Sequence, residues 1–309
     1  MTAPLVYLEK FFQIQHRMKK PGFGEVLFNR GASSDMKNFS ISPSQEAEVS
    51  SLTFNYRVPA HLCRNENNAL PLSCLLAVFD DVSSWPVIAF DTLHRPGVSV
   101  NLYAERINNF AIKADSKLKI VCKINKIGRK MGFIELEAMD ANDVVVAFGR
   151  HVKYLDGMGK LFETAMTEPC FSTLTPQLAK IFGKVYSSTD YSNTSLTETI
   201  PLSFEDGKGS FIVAENQLNP MGTLHGGAQA IAAELFGGMQ RRRSTSTSST
   251  KLKSLEVNYI SASPPGKMLW LTSETFAKEE NPNLNMIKIW KDGRGGKRTV
   301  VSDAILHWS

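Results

Sequence analysis

The sequence predicts an α+β protein built as two similar domains, each an antiparallel sheet wrapped round one central helix. Three observations carry this. The chain has 309 residues, which suits two domains of roughly 150 residues, each large enough to bury a core. The order of its secondary-structure signals occurs twice. The second helix candidate, Gly226–Met239, is apolar nearly all round, so it is buried and a sheet must enclose it.

Taken in order, residues 1–21 read as an amphipathic helix, with Leu5, Leu8, Phe11, Phe12 and Met18 on one face and Glu9, Lys10, Arg17, Lys19 and Lys20 interspersed. Two readings stay open for it: a helix packed on the first domain, or a transit peptide, since basic residues outnumber acidic ones. The first domain, 22–155, opens with an extended segment at 49–58, followed by an apolar stretch, Leu70–Phe90, long enough for a helix. Gly97–Ala104, Lys117–Ile127, Gly132–Met139 and Val144–Tyr154 are rich in β-branched and aromatic residues and separated by turn signals such as Ala141-Asn142-Asp143, which predicts strands. Residues 156–174 form a linker, with a short helix expected near Pro176–Phe182. The second domain, 175–309, repeats the order with strands near 197–204 and 209–215, the helix Gly226–Met239, and strands near 252–260, 267–276, 284–291 and 298–308. Arg241-Arg242-Arg243 and Ser244–Thr250 read as a solvated loop after the second helix.

Composition excludes little. The net charge of +5 is compatible with anionic ligands such as coenzyme A, with nucleic acid, or with neither. No run of about 20 apolar residues suggests a membrane span. Cys63, Cys74, Cys122 and Cys170 are scattered, without a C-x-x-C pair, so no zinc site, other metal or disulfide framework is expected. A reducing intracellular compartment fits, cytoplasmic or mitochondrial.

The chemistry is concentrated at the entry to the second helix, Asn219-Pro220-Met221-Gly222-Thr223-Leu224-His225-Gly226-Gly227, with Glu234 further along. A helix start leaves N–H groups unpaired and positive, and glycines let a carbonyl oxygen approach them without a Cβ in the way. That is the making of an oxyanion hole. A carboxylate two turns along a helix serves as base or nucleophile, and an Asn before it can hold water or the substrate carbonyl.

This passage resembles the hot-dog thioesterases of the phenylacetyl-CoA thioesterase type, whose pattern is Asn, five residues, His-Gly-Gly, six residues, then Asp or Glu. Asn219, His225, Gly226, Gly227 and Glu234 fit at every specified position. The first half resembles the same family through Asp81, where the family places its helix carboxylate, and through Ser99 in Gly97-Val98-Ser99-Val100, 18 positions later. Gly149–Leu155 looks like the family's last strand. In place of His-Gly-Gly, however, the first half has Leu72-Ser73-Cys74, and in place of Asn it has Glu66. The resemblance covers about 22–155 and 175–309 and implies a double hot-dog, its two sheets paired into one continuous sheet. Family sites are shared across a dimer, so it further implies one competent composite site. Asp81 and Ser99 would come from the first half and Asn219, His225, Gly226 and Gly227 from the second. A decayed site would hold Glu234 opposite Leu72-Ser73-Cys74.

The function so implied is hydrolysis of acyl-CoA or acyl-carrier-protein thioesters without a cofactor. Arg241, Arg242, Arg243, Lys251 and Lys253 would be contacts for the coenzyme A phosphates. The alternative is a catalytically inactive hot-dog protein serving as a structural or binding component of a larger assembly. A homodimer of double hot-dogs is a further expectation. Individual residues carry plainer readings too: Asp81 is a surface-facing or capping residue, the spacing favouring it over Asp80, which could take the role after a one-residue shift; Ser99 packs, His225 orients the helix start, and His151 satisfies a hydrogen bond near a sheet edge.

Overall fold

The structure is a computed structural model that describes residues 22–28, 41–43, 50–63, 68–95, 97–108, 110–155, 195–219, 221–244, 251–275 and 283–309. The helix expected over 1–21, the linker 156–174, the short helix near Pro176–Phe182 and Cys170 lie outside the described residues.

In chain order the first half contains α1 (Phe23–Phe28), β1 (Ile41–Pro43), β2 (Ser51–Arg57), α2 (Leu72–Phe90), β3 (Val98–Arg106), β4 (Lys117–Ile127), β5 (Met131–Met139) and β6 (Val145–Tyr154). The second contains α3 (Leu196–Thr199), β7 (Ser203–Glu205), β8 (Lys208–Ile212), α4 (Gly226–Ser244), β9 (Leu252–Tyr259), β10 (Met268–Thr275), β11 (Leu284–Asp292) and β12 (Arg298–Trp308). All strands join one 12-stranded sheet in the order β1-β2-β4-β5-β6-β3-β9-β12-β11-β10-β8-β7. The run β2-β4-β5-β6-β3 is repeated in reverse by β9-β12-β11-β10-β8, so a pseudo-two-fold axis passes through the antiparallel β3–β9 seam. Even a bulge is repeated: β3 slips against β6 between Ser99 and Asn101, and β9 slips against β12 at Lys253, skipped between Leu252 and Ser254.

Alternation explains the strands. β5 buries every second residue, with Ile134, Leu136 and Ala138 inward. At the seam Leu102, Ala104, Leu255 and Val257 point to the core while Asn101, Glu256 and Asn258 bond to one another outside. α2 passes by length and composition for a membrane-crossing helix, yet 89% of that window is buried inside the protein, which makes it a core helix.

The two helices lie antiparallel on the inner face of the sheet. Ser73 of α2 meets Glu234 of α4, Ala77 meets Gly227, and Asp81 meets His225. A Cβ on Gly227 would come within 2.8 Å of the Ala77 Cα, so glycine permits this close approach.

Two local expectations are corrected. Part of 197–204 is the helix α3, because Ser195 and Glu198 form a reciprocal capping box that overrides the strand propensity of Thr and Ile. Arg241–Arg243 are the last turn of α4 and not a loop, a place where cations offset the unpaired carbonyls of the helix end.

Candidate active site

The start of α4 is aimed by the turn before it. The Asn219 Oδ1 accepts the N–H groups of Met221 (3.0 Å) and Thr223 (3.2 Å), and its Nδ2 donates to the Thr223 hydroxyl at 3.0 Å. Gly222, at φ 77°, closes the turn by donating its N–H to the Asn219 carbonyl. The amide of Asn219 is thus engaged in the turn itself.

His225 follows, buried at the junction. Its Nδ1 accepts the Gly227 N–H at 2.9 Å, and its Nε2 lies 3.0 Å from Asp81 Oδ1. With Nδ1 accepting from Gly227, the neutral ring carries its proton on Nε2, toward Asp81. Burial pulls its pKa down, but Asp81 and Asp80 outweigh burial and the net direction is upward. The N–H of Gly226, next along, has no acceptor among the described residues. A Cβ on Gly226 would lie 2.6 Å from Asp80 Oδ2, 2.9 Å from Tyr259 Cζ and 3.0 Å from the Tyr259 hydroxyl. The missing side chain therefore lets the carboxylate and the phenol pack directly against the helix start.

Asp80, on α2, is 6% exposed. Its Oδ1 accepts the Ser99 hydroxyl at 2.6 Å and lies 3.6 Å from His151 Nε2, while its Oδ2 lies 3.5 Å from His225 Nδ1. Burial alone would raise its pKa, but His225, His151, Lys153 and the Ser99 hydroxyl together hold it below the ordinary 3.8. It is a carboxylate at neutral pH. Behind it, His151 is fully buried with Nδ1 2.5 Å from the Ser83 hydroxyl oxygen; burial, reinforced by Lys153, keeps its pKa well below 6.5. Lys153, also buried and paired in register with Ser99, has its pKa lowered by burial against the pull of Asp80 and Asp81. α1 closes one side, with Phe23 0% exposed and its ring 5.3 Å from that of His225, and with Gly24 against Asp81.

The structure therefore brings Asp80, Asp81, Ser99, His225 and Gly226 together from both halves. Gly227 lies in the helix contact, and Asn219 lies in the turn behind. His151 sits in β6, flanked by β5 and β3 and away from any sheet edge. Lys153 and Tyr259 were not singled out from sequence; the readable signal was the alternation of β6, which turns His151 and Lys153 to the same inner face.

At the pseudo-symmetric position, Glu234 Oε2 accepts the Ser73 N–H at 2.7 Å, so a side chain of the protein occupies that helix start. Arg241–Arg243 lie 15 to 17 residues beyond Gly226, at the far end of α4, about 22–25 Å along its axis at 1.5 Å per residue. There Arg243 stacks over Phe204 (4.0 Å) and Arg241 over Trp308 (5.6 Å). Lys253 pairs with Glu105 at 3.7 Å, and Lys251 is exposed. None of these five cations is at the Gly226 end. Among the described residues no group of three or more His, Cys, Asp or Glu side chains is suited to a metal ion.

No protein-family profile matches the chain, and no curated protein does. Solved structures do match. An acyl-ACP thioesterase from Bacteroides thetaiotaomicron superposes with a TM-score of 0.54 at 12% identity, over 84% of this chain and 98% of that one. A putative oleoyl thioesterase from Lactobacillus plantarum gives 0.55 at 10% identity, over 86% and 98%. The 12:0-ACP thioesterase from Umbellularia californica gives 0.53 at 10% identity, over 84% and 97%. Two helices side by side under one continuous antiparallel sheet, related by a pseudo-two-fold axis and shared with these structures over most of the chain, make this protein a double hot-dog.

Proposed function

We propose that the protein hydrolyses acyl thioesters carried on coenzyme A or an acyl carrier protein, at one composite site between its two halves. The observation that carries this reading is the ionised Asp80 carboxylate packed against Gly226, the helix-start residue whose N–H has no acceptor among the described residues. The similar structures are thioesterases of acyl-ACP and, in one case, a putative oleoyl thioesterase, which supports the substrate class.

In this reading the thioester carbonyl oxygen rests on the Gly226 N–H at the positive end of α4. Asp80 Oδ2 accepts a proton from water as the water oxygen bonds to the carbonyl carbon. Collapse of the tetrahedral intermediate breaks the C–S bond, and Asp80 returns the proton to sulfur, releasing acid and thiol. The Ser99 hydroxyl fixes the other carboxylate oxygen. Asp81 holds the His225 ring, whose Nδ1 in turn anchors Gly227, so this pair positions the helix start. The opposite junction, where Glu234 fills the helix start, is silent. The buried thiols of Cys63, Cys74 and Cys122 fit a reducing compartment.

A second reading, a binding or structural component without turnover, is favoured by α1, which seals the His225 side with Phe23. Release of free thiol from acetyl-, octanoyl- and palmitoyl-CoA and the matching carrier-protein thioesters separates the two. Hydrolysis lost in Asp80→Asn supports the first, and wild-type protein that binds thioesters without releasing thiol supports the second.

A further inference from the structure

An oxyanion is held best by more than one donor, and Gly226 supplies a single N–H. Packed beside it is a group that the hydrolytic scheme has not used. Tyr259 is the last residue of β9, and its hydroxyl oxygen is buried with no hydrogen-bond partner among the described residues. Buried hydroxyls are almost always paired in proteins, so an unpaired one at a reaction site marks the place of a missing acceptor. The Tyr259 oxygen lies 3.0 Å from the point a Gly226 Cβ would occupy, and Asp80 Oδ2 lies 2.6 Å from the same point. The phenol and the base therefore close on the same face of Gly226.

At the opposite junction the corresponding groups are bonded within the protein. Across the seam, Asn101 pairs with Asn258 and Glu105 with Ser254, a register that makes Arg106, the last residue of β3, the counterpart of Tyr259. Arg106 donates to the carbonyls of Leu70 (2.5 Å) and Phe110 (3.3 Å), while Glu234 takes the Ser73 N–H. Both groups of that junction thus bond within the protein. Among the described residues, both of their counterparts here, the Gly226 N–H and the Tyr259 hydroxyl, have no partner.

We propose that Tyr259 is a catalytic residue, its hydroxyl donating together with the Gly226 N–H to the oxygen of the substrate thioester carbonyl. The assignment rests on the acyl-thioester reading of the site. As water bonds to the carbonyl carbon, the carbonyl electron pair moves to oxygen and is held by these two donors. Asp80 takes the water proton, and Tyr259 keeps its own throughout. When the C–S bond breaks, that electron pair re-forms the carbonyl, and Asp80 protonates the departing sulfur. Burial, and after it the charge of Asp80, pushes the Tyr259 pKa well above 10, so the phenol remains a donor and is no competing base.

The test is Tyr259→Phe, which removes one oxygen that bonds to nothing in the free protein. With the best substrate among acetyl-, octanoyl- and palmitoyl-CoA, kcat falls on the order of 100-fold, the scale of losing one oxyanion donor. KM and melting temperature stay close to wild type. A second readout is spectroscopic: the carbonyl stretch of that thioester bound to Asp80→Asn protein lies below its value in water, and adding Tyr259→Phe returns it part of the way. Wild-type activity with Tyr259→Phe retaining kcat and an unchanged stretch overturns the assignment while leaving the thioesterase reading intact. A lowered melting temperature with KM and kcat damaged together also overturns it, in favour of a structural role. Wild-type protein that releases thiol from none of these substrates removes the functional reading itself, and the assignment with it.

Discussion

Asp80 and Asp81 are neighbours on α2, and exchanging each for asparagine separates their duties. In Asp80→Asn the buried base is lost while the shape is kept; the amide can still accept the Ser99 hydroxyl, which now lies 2.6 Å from Asp80 Oδ1. A positioned general base contributes about 10²- to 10⁴-fold, so kcat falls by that factor, about 2.7 to 5.4 kcal/mol of transition-state stabilisation. Lys153 loses an ionic neighbour in this variant, and a buried cation left alone is costly. Burial already lowers the Lys153 pKa, however, so it can shed its proton, and the fold persists with a lower melting temperature. Asp81→Asn keeps an oxygen that can accept from His225 Nε2, now 3.0 Å away, and loses less than about tenfold, the scale of one weakened hydrogen bond. Thiol release, with circular dichroism to confirm folding, measures both. The pH profile adds a second check: the base works ionised, so the limb that Asp80 itself contributes lies below the ordinary carboxylate value of 3.8. An Asp80→Asn protein that is folded and fully active, beside a dead Asp81→Asn, would refute the reasoning.

Glu234→Ala leaves kcat within about twofold but lowers stability by about 1 kcal/mol, because it removes the acceptor on the Ser73 N–H at a helix start that has no side-chain cap of its own; thermal melts beside thiol release show whether the two effects part. Gly227→Ala drives a methyl group against Ala77 and destabilises the protein by about 1–3 kcal/mol, the range for overpacking, measured by urea unfolding. His151 is held neutral in the fold, while the unfolded chain takes up its proton near pH 6.5, so this residue makes stability fall as pH drops below about 6.5. His225, with its pKa raised, acts with the opposite sign: its contribution is present below 6.5 and lost as pH rises through the folded value. His151→Gln should therefore flatten the decline of melting temperature between about pH 6.5 and 5, and an unchanged slope would count against a neutral buried ring.

The fold was legible because its signals are strong and local. The runs behind β4, β5 and β12 alternate in the sequence as they do in burial, and the core helices announce themselves by lacking a polar face. α3 was not legible: Leu196–Thr199 has β-favouring residues, and one reciprocal cap decides the matter. At the site, spacing pointed to one turn of α2, and the structure gives the two carboxylates of that turn different partners. Successive helix residues differ by about 100° in direction, so Asp80 and Asp81 answer to different partners although a motif barely tells them apart. Which one turns to Gly226 depends on how α2 and α4 are rotated in contact, a property of Ala77 against Gly227. His151, Lys153 and Tyr259 arrive from strands distant in sequence and belong to no contiguous motif.

The β3–β9 seam joins the halves within one polypeptide, and this changes what a mutation can do. In a dimer of identical subunits every exchange is written into both junctions at once, so a change that spoils one spoils its twin. Here Tyr259 and Arg106 are separate codons, as are Gly226 and Ser73. One junction is free to give up chemistry and become internal bracing, with Arg106 and Glu234 tying strand, loop and helix together. The other is then free to leave its donors unbonded, a local deficit that the braced side of the same molecule helps to sustain.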